Sequence, residues 1–435
     1  MKTRVAVVGG GVAGISAAYH LRDEAAVTLF EAADRVGGHA YTVQVEEDGK
    51  KIGLDTAFIV MNKTSYPSLM KFFAELGVAT KEQPGQFSFF DLDAGVTYVS
   101  EDFELPEQEV RRRYPEEFVN LWRQARRFRE ESFRHFVRRE ADLPLGEYLE
   151  RHGYDDTFRH GFVVLVSTAV WSTPAEMVWE MPASTVISFY AAHGMEGLGG
   201  RTAPWVTVDG GSINYVRKVV ESIELSGSKI RTGAPVLGVR DNGDAVAVQT
   251  GDGVEHFDYV VLAAHADDSM AMLSNPTARQ RGLEVVKYHP TRATLHTDPS
   301  VMPADHAAWR SWNYGRIQAG GRQHSWVTYN LNALHGLSCN KDYFVTLDSP
   351  CPIRDESIIE DISYRHPVFN MDVRRLQPEI HAINEEGSRV KFAGSYIHSK
   401  QTGPDNIGSH EAAFASGSTA AQAVIRQARQ AKLLV

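Results

Sequence analysis

The chain has 435 residues, 43% of them hydrophobic, enough for one large core or two interlocked ones. Its net charge of −10 argues against general affinity for nucleic acid. No run approaches the roughly 18 apolar residues that span a bilayer, no signal-peptide pattern precedes the first strand, and Cys339 and Cys351 offer neither a disulfide framework nor a zinc spacing, so a cytoplasmic protein without a metal site is expected.

The first element is an apolar strand over residues 4–8, feeding Gly9-Gly10-Gly11-Val12-Ala13-Gly14 and an alanine-rich helix. Gly9 permits a tight turn, Gly11 lets the backbone approach a pyrophosphate, and Gly14 lets helix and strand pack closely. Glu31 closes the next strand, where a carboxylate accepts from ribose hydroxyls. This predicts a dinucleotide site. Paired glycines in Ala32-Ala-Asp-Arg35-Val-Gly37-Gly38-His39 remove side chains from a stretch that can lie flat against a long ligand, and Asp55-Thr-Ala57-Phe58-Ile59-Val60 follows a short strand.

Residues 66–207 read as mostly helical, with Arg111–Arg113, Arg123, Arg126, Arg127, Arg129, Arg134, Arg138 and Arg139 on one long helix. Phe118, Trp122, Ala125, Phe128, Ser132 and Phe136 recur on it at helical spacing, so one stripe packs. The arginines then form either a solvated face balanced by glutamates or a docking surface for a phospholipid surface or an acyl carrier. The glycine-rich segment Gly194-Met-Glu-Gly-Leu-Gly-Gly200 reads as a loop, and because it does not follow a strand it is not expected to be a second dinucleotide site. A helix from Ser212 follows, then strands at 235–240, 245–250 and 259–264, with Asn242-Gly243 and Asp252-Gly253 as hairpin turns. Further strands are expected at 292–296, 325–330 and 344–347. Near the end, Phe392-Ala-Gly394-Ser395 precedes Asn406-Ile407-Gly408-Ser409 and an alanine-rich final helix.

These motifs resemble those of the FAD-dependent amine oxidase and phytoene desaturase-like superfamily. Ala169-Val-Trp-Ser-Thr-Pro174, Val208-Asp-Gly-Gly-Ser-Ile-Asn-Tyr-Val216, Arg292-Ala-Thr-Leu-His-Thr-Asp298, Ser311-Trp-Asn-Tyr314 and Tyr364-Arg-His-Pro-Val-Phe369 are similar to its branch of predicted NAD/FAD-binding proteins encoded with cyclopropane fatty acid synthases. The resemblance implies an α/β fold: a discontinuous Rossmann-like FAD-binding domain of the glutathione-reductase type at 1–65, 208–268 and 386–435, interleaved with an α+β substrate domain at 66–207 and 269–385. It implies FAD held non-covalently by Gly9, Gly11, Val12, Ala13, Gly14, Glu31, Ala32, Arg35, Gly37, Gly38, His39, Ala57, Phe58, Ile59, Val236, Ala263, Gly394, Ser395, Ile407, Gly408 and Ser409. A final helix starting near 407–409 would aim its positive end at the flavin pyrimidine edge, worth up to ~2 kcal/mol. His39 stands where many relatives carry arginine, and Ala57 where glycine is common.

Amine oxidases of the superfamily place an aromatic residue before the final helix and a lysine by the flavin. This chain has Asn406-Ile-Gly-Ser409 there, and Lys287 has different surroundings. The resemblance therefore implies a hydrophobic acyl-type substrate whose activated C–H gives up hydride. Alternatives are a redox-neutral double-bond isomerase, an amine or amino-acid oxidase using Arg292 or Arg316, and a non-enzymatic flavin-bearing subunit. Candidate walls are Trp171, Tyr190, Trp312, Tyr314, Trp326 and Tyr329; candidate proton carriers are His39, His296, His366 and His398. Tyr329, His366, Trp312 and His398 are the catalytic candidates, although the plainer reading of each is a core or interface residue.

Overall fold

The computed structural model describes residues 2–193 and 205–433. The Gly194–Gly200 loop expected from the sequence lies outside the described residues. A five-stranded parallel sheet runs in the order Lys229–Arg231, Ala25–Phe30, Thr3–Val8, Tyr259–Leu262, Val390–Phe392. Val5, Ala6, Val7 and the whole of Tyr259–Leu262 are buried, the mark of strands covered on both faces. The helix Val12–Leu21 lies on one face and packs along the final helix, His410–Leu433. Their backbones nearly touch, because a Cβ on Gly417 would stand 2.1 Å from the Ala13 carbonyl oxygen, and Ser16 Oγ donates to the Phe414 carbonyl at 2.7 Å. On the other face Phe30 meets Phe257 of an antiparallel sheet made by Val236–Asp241, Val246–Thr250 and Gly253–Phe257.

The second large layer is a seven-stranded sheet in the order Ile358–Val368, Lys287–His296, Phe344–Leu347, Arg322–Asn330, Trp312–Ala319, Phe87–Asp91, Val96–Val99. It is antiparallel except where Trp312–Ala319 runs parallel to Phe87–Asp91. Register pairs Trp312 with Tyr329, Tyr314 with Val327 and Phe89, and Phe89 with Tyr98. These side chains share one face of the sheet, which the helices Val164–Trp171, Glu116–Val137 and Ala183–His193 cover with an apolar core. Among the described residues, no helix is long and apolar enough to cross a membrane.

Three expectations are corrected. The Asp252-Gly253 turn pairs Val246–Thr250 with Gly253–Phe257, a strand the sequence reading omitted, while Tyr259–Leu262 leaves for the parallel sheet. The mostly helical segment contains the strands Thr80–Gln83, Phe87–Asp91 and Val96–Val99, two of which edge the seven-stranded sheet. The arginine-rich helix is two helices, Glu107–Arg113 and Glu116–Val137. Pro115 explains the break: it forces Tyr114 to an extended φ of −124° and then caps the second helix.

Candidate active site

A cavity of about 720 Å³ opens between the two layers. The parallel sheet contributes its glycine turn. Gly9 has φ +101°, and a Cβ there would lie 2.8 Å from the Ala263 carbonyl; one on Gly14 would lie 1.8 Å from the Gly9 oxygen. Gly11 differs, since a Cβ there would meet only the Gly38 Cα, at 3.9 Å, leaving open cavity above its backbone. Gly11 also caps the helix Val12–Leu21 without any side-chain hydrogen bond, so the first N–H groups of that helix are available to an anion. Glu31 faces the same space: its Oε2 accepts from Gly10 N at 2.6 Å and its Oε1 from Ala33 N at 2.8 Å. The carboxylate thereby fixes the turn it sits beside.

The paired glycines close this cradle. Gly37 donates from its N–H to the Gly10 carbonyl at 2.8 Å, Gly38 holds φ +58° against Gly11, and Arg35 donates to the Gly38 carbonyl at 3.0 Å while stacking on Tyr41. Gly14, Arg35 and Gly37 therefore shape the site from behind its wall. Ala32, Val12, Ala13, Gly38, His39, Ala57, Phe58, Ile59, Val236, Ala263, Gly394, Ser395, Ile407, Gly408 and Ser409 line the cavity directly.

Phe58 has φ +50°, a strained backbone for a bulky side chain, and its ring lies 4.7 Å from His410 at the start of the final helix. The segment bearing Phe58 is tied down by Asp55, which is fully buried and accepts from Ser212 N at 2.9 Å, Ser212 Oγ at 3.1 Å and Thr42 Oγ1. Burial raises the Asp55 carboxyl above its ordinary pKa. His410 Nε2 lies 2.8 Å from Tyr215 OH, and burial presses its pKa to about 3, so the ring is neutral. His410 Nδ1 and Tyr396 OH are buried without a partner, and both residues line the cavity. An open glycine cradle, an uncapped helix start and two unpaired polar atoms fit a long dinucleotide.

Three histidines converge on the wall. The His39 ring stands 5.1 Å from His366 and 6.0 Å from His265. Burial holds His39 well below the ordinary histidine range, His366 at about 4, and lowers His265. His366 Nδ1 lies 3.2 Å from Thr291 Oγ1, whose proton goes to the Ser172 carbonyl. With the Thr291 proton on that carbonyl, Thr291 accepts from Nδ1–H, and in this tautomer Nε2 carries the ring's lone pair. Much of the remaining wall is aromatic, with Trp171, Phe189, Trp205, Trp312, Tyr314, Tyr329 and Phe369 beside aliphatic residues such as Val170, Met272 and Leu347.

The family described as flavin containing amine oxidoreductase matches residues 12–327. The chain belongs to that family. It is a FAD-dependent oxidoreductase, and FAD is its cofactor. A stretch of 80 residues is 39% identical to coproporphyrinogen III oxidase of Mycobacterium tuberculosis, covering 18% of this chain and 17% of that one. In fold, the chain is similar to putrescine oxidase bound to putrescine (TM-score 0.68, 16% identity, 98% and 99% of the two chains). It is also similar to a CLA-producing fatty acid isomerase from P. acnes (TM-score 0.60, 14% identity, 96% and 97%). At these identities the two structures show a shared architecture alone.

In this flavoprotein Trp171, Trp312, Tyr314, Tyr329, His39 and His366 reach the cavity, and several other candidates do not. His398 sits outside the lining, with Nδ1 3.0 Å from Gln377 Oε1 and Nε2 3.3 Å from His381 Nε2. His296 bonds Thr346 Oγ1 at 2.8 Å among buried strands, Tyr190 OH meets Ser167 at 3.2 Å, and Trp326 Nε1 donates to the Val301 carbonyl on the far face of the sheet. Arg292 pairs with Asp361 near the surface and Arg316 with Asp91, so neither serves a carboxylate in the main cavity. Many of the outer arginines are spent on glutamates: Arg111, Arg112, Arg113, Arg123 and Arg127 pair with Glu107, Glu109, Glu116 and Glu131, as a solvated face does.

The sequence reading missed His265, Trp205, Tyr288 and His410 as lining residues. His265 could have been found, since it follows the carboxyl end of the parallel strand Tyr259–Leu262, where ligands of open α/β sheets bind. Its carboxylate neighbours, Asp267 and Asp268, both accept from Arg365, which supplies the positive charge a cation would otherwise bring.

Proposed function

We propose that the enzyme removes hydride from an activated C–H of a hydrophobic, unsaturated acyl-type substrate, with FAD held non-covalently. The observation that carries this reading is the charge balance of the wall. Among the described lining residues the charged side chains are Glu31, which accepts from two backbone N–H groups, and the mutually paired Asp268 and Arg365. An ammonium group finds no spare carboxylate there and a carboxylate no spare arginine, whereas the aromatic surface suits an apolar chain.

FAD supplies a hydride acceptor when bound. The glycine turn and the first N–H groups of the helix Val12–Leu21 would hold its pyrophosphate, and Glu31 its ribose. The aromatic wall orients the chain and excludes water. A substrate that loses hydride from an allylic carbon must also lose a proton to become a diene, and His366, which lines the cavity, would be its acceptor. The reading also takes the parallel sheet as a Rossmann-type domain built from 1–65, 208–268 and 386–435, with 66–207 and 269–385 enclosing the substrate.

A redox-neutral double-bond isomerase is the second reading, supported by the likeness in fold to the fatty acid isomerase. Anaerobic absorbance spectra of the holoenzyme, with unsaturated acyl lipids and with amines, separate the alternatives. Bleaching of the flavin visible band by acyl lipids is expected. Oxidised flavin with displaced double bonds selects the isomerase, and bleaching by amines alone overturns both.

A further inference from the structure

We propose that Tyr314 is the chain-length determinant of this enzyme: its ring closes the main cavity against a second, mainly apolar chamber lying in line with it. The occupant rests on the acyl reading above; the partition does not.

The second chamber is about 60 Å³, room for about four water-sized spheres. Tyr314 belongs to the walls of both spaces. One sheet face floors them in sequence. From the Trp312 and Tyr329 pair in the main cavity, the row continues to Tyr314, which stacks on Phe89 at 4.8 Å, and Phe89 stacks on Tyr98 at 4.9 Å in the second chamber. One helical segment roofs them in the same sequence. Trp171 and Ser172 reach the main cavity, while Leu165 and Gly161 reach the chamber.

Gly161 lies in the π-helical turn Arg159–Val163, and a Cβ there would come within 2.9 Å of Leu121 Cδ1. The wide turn and the missing side chain keep the chamber open. At its outer end Arg316 donates to Asp91 at 2.6 Å, so this half-buried pair brings no net charge. The two spaces therefore share a floor, a roof and a mainly apolar lining, with Glu117 and Thr157 as further polar residues of the second, and Tyr314 is the residue common to both walls. An unbranched chain extending from the flavin site ends against Tyr314, and a smaller residue there releases room for further carbons.

The test uses holoenzyme and straight-chain carboxylic acids of increasing length, read by perturbation of the flavin visible band. Affinity should rise about fourfold per added methylene up to a cut-off. Tyr314→Ala should carry the rise past that cut-off, Tyr314→Phe should leave it in place, and adding Leu165→Phe to the alanine variant should bring it back. Tyr314→Leu reads the same displacement if the alanine variant does not fold. A cut-off unmoved in the alanine or leucine variant overturns the proposal.

Crystals under xenon pressure test the partition without any acyl ligand. Separate xenon positions on the two sides of the ring in wild type, merging when the ring is removed, uphold it. Absence of xenon from the second chamber in both proteins overturns it. Xenon in both spaces, with no acid of any length perturbing the flavin, upholds the partition and overturns the acyl occupant together with the acyl reading of function.

Discussion

At the residue scale, the glycines of the first turn do different work, and substitution separates them. A Cβ on Gly14 collides with the Gly9 carbonyl, so Gly14→Ala should lower the stability of the FAD-free protein by about 1–3 kcal/mol, measured by urea unfolding. Gly11→Ala meets no protein atom closer than 3.9 Å; the FAD-free protein should keep its stability while FAD retention falls, measured by the flavin-to-protein absorbance ratio on purification. Glu31→Gln removes an acceptor that both holds the turn and faces the ligand, and should weaken FAD binding about tenfold by equilibrium titration. These positions were legible in the sequence because a tight turn and a close approach are local demands of covalent geometry. Trp205 and His410 were not, because nothing local to them announces a cavity; they face it only once the strands and helices that carry them are stacked.

At the element scale, buried polar ties decide how the segments meet. Asp55 joins the end of the strand Lys50–Asp55 to the start of the helix Ile213–Leu225 through Ser212 and Thr42, and the His335 ring lies 3.2 Å from its backbone N. Asp55→Ala leaves these buried donors without an acceptor and should cost about 3 kcal/mol by urea midpoint, with Asp55→Asn costing less because it keeps one oxygen. Glu411 plays a similar part: from the final helix it accepts Ser68 N at 3.1 Å and Leu69 N at 3.0 Å, capping the helix Pro67–Glu75. Periodicity made the helical stripe from Phe118 legible, and five of its six positions, Phe118, Trp122, Ala125, Phe128 and Ser132, are buried. The break at Pro115 was readable by the same local rule that extends a residue before proline. The strand Gly253–Phe257 was harder, since its exposed and buried residues do not alternate cleanly and its pairing depends on where the next strand goes.

At the scale of the whole molecule, buried neutral histidines set the response to acid. Burial places His296, His366, His381 and His398 at about 4 and His410 at about 3, below the value of about 6.5 in an unfolded chain. Above pH 6.5 both states are neutral at these sites and nothing is gained or lost. Between 6.5 and 4 the unfolded chain binds protons that the folded chain refuses, so stability falls as pH falls. The melting temperature should therefore drop steadily across that window, and His366→Gln should flatten part of the slope; a melting temperature independent of pH from 7 to 4.5 would contradict the burial of these rings. The mixed α/β architecture was legible because motifs at both ends of the chain belong to one nucleotide-binding pattern. The order of the seven-stranded sheet was not, because pairings such as Trp312–Ala319 with Phe87–Asp91 join segments more than 200 residues apart. The parallel sheet has the same habit, with a temporal consequence. Thr3–Val8 pairs with Tyr259–Leu262, about 250 residues downstream, and at roughly 5–20 residues per second the ribosome takes about 13–50 s to deliver that partner. Throughout that interval one edge of the first βαβ unit is bare and open to wrong partners, and the cofactor site is complete only after the segment reaching His410 and Ala413 has followed.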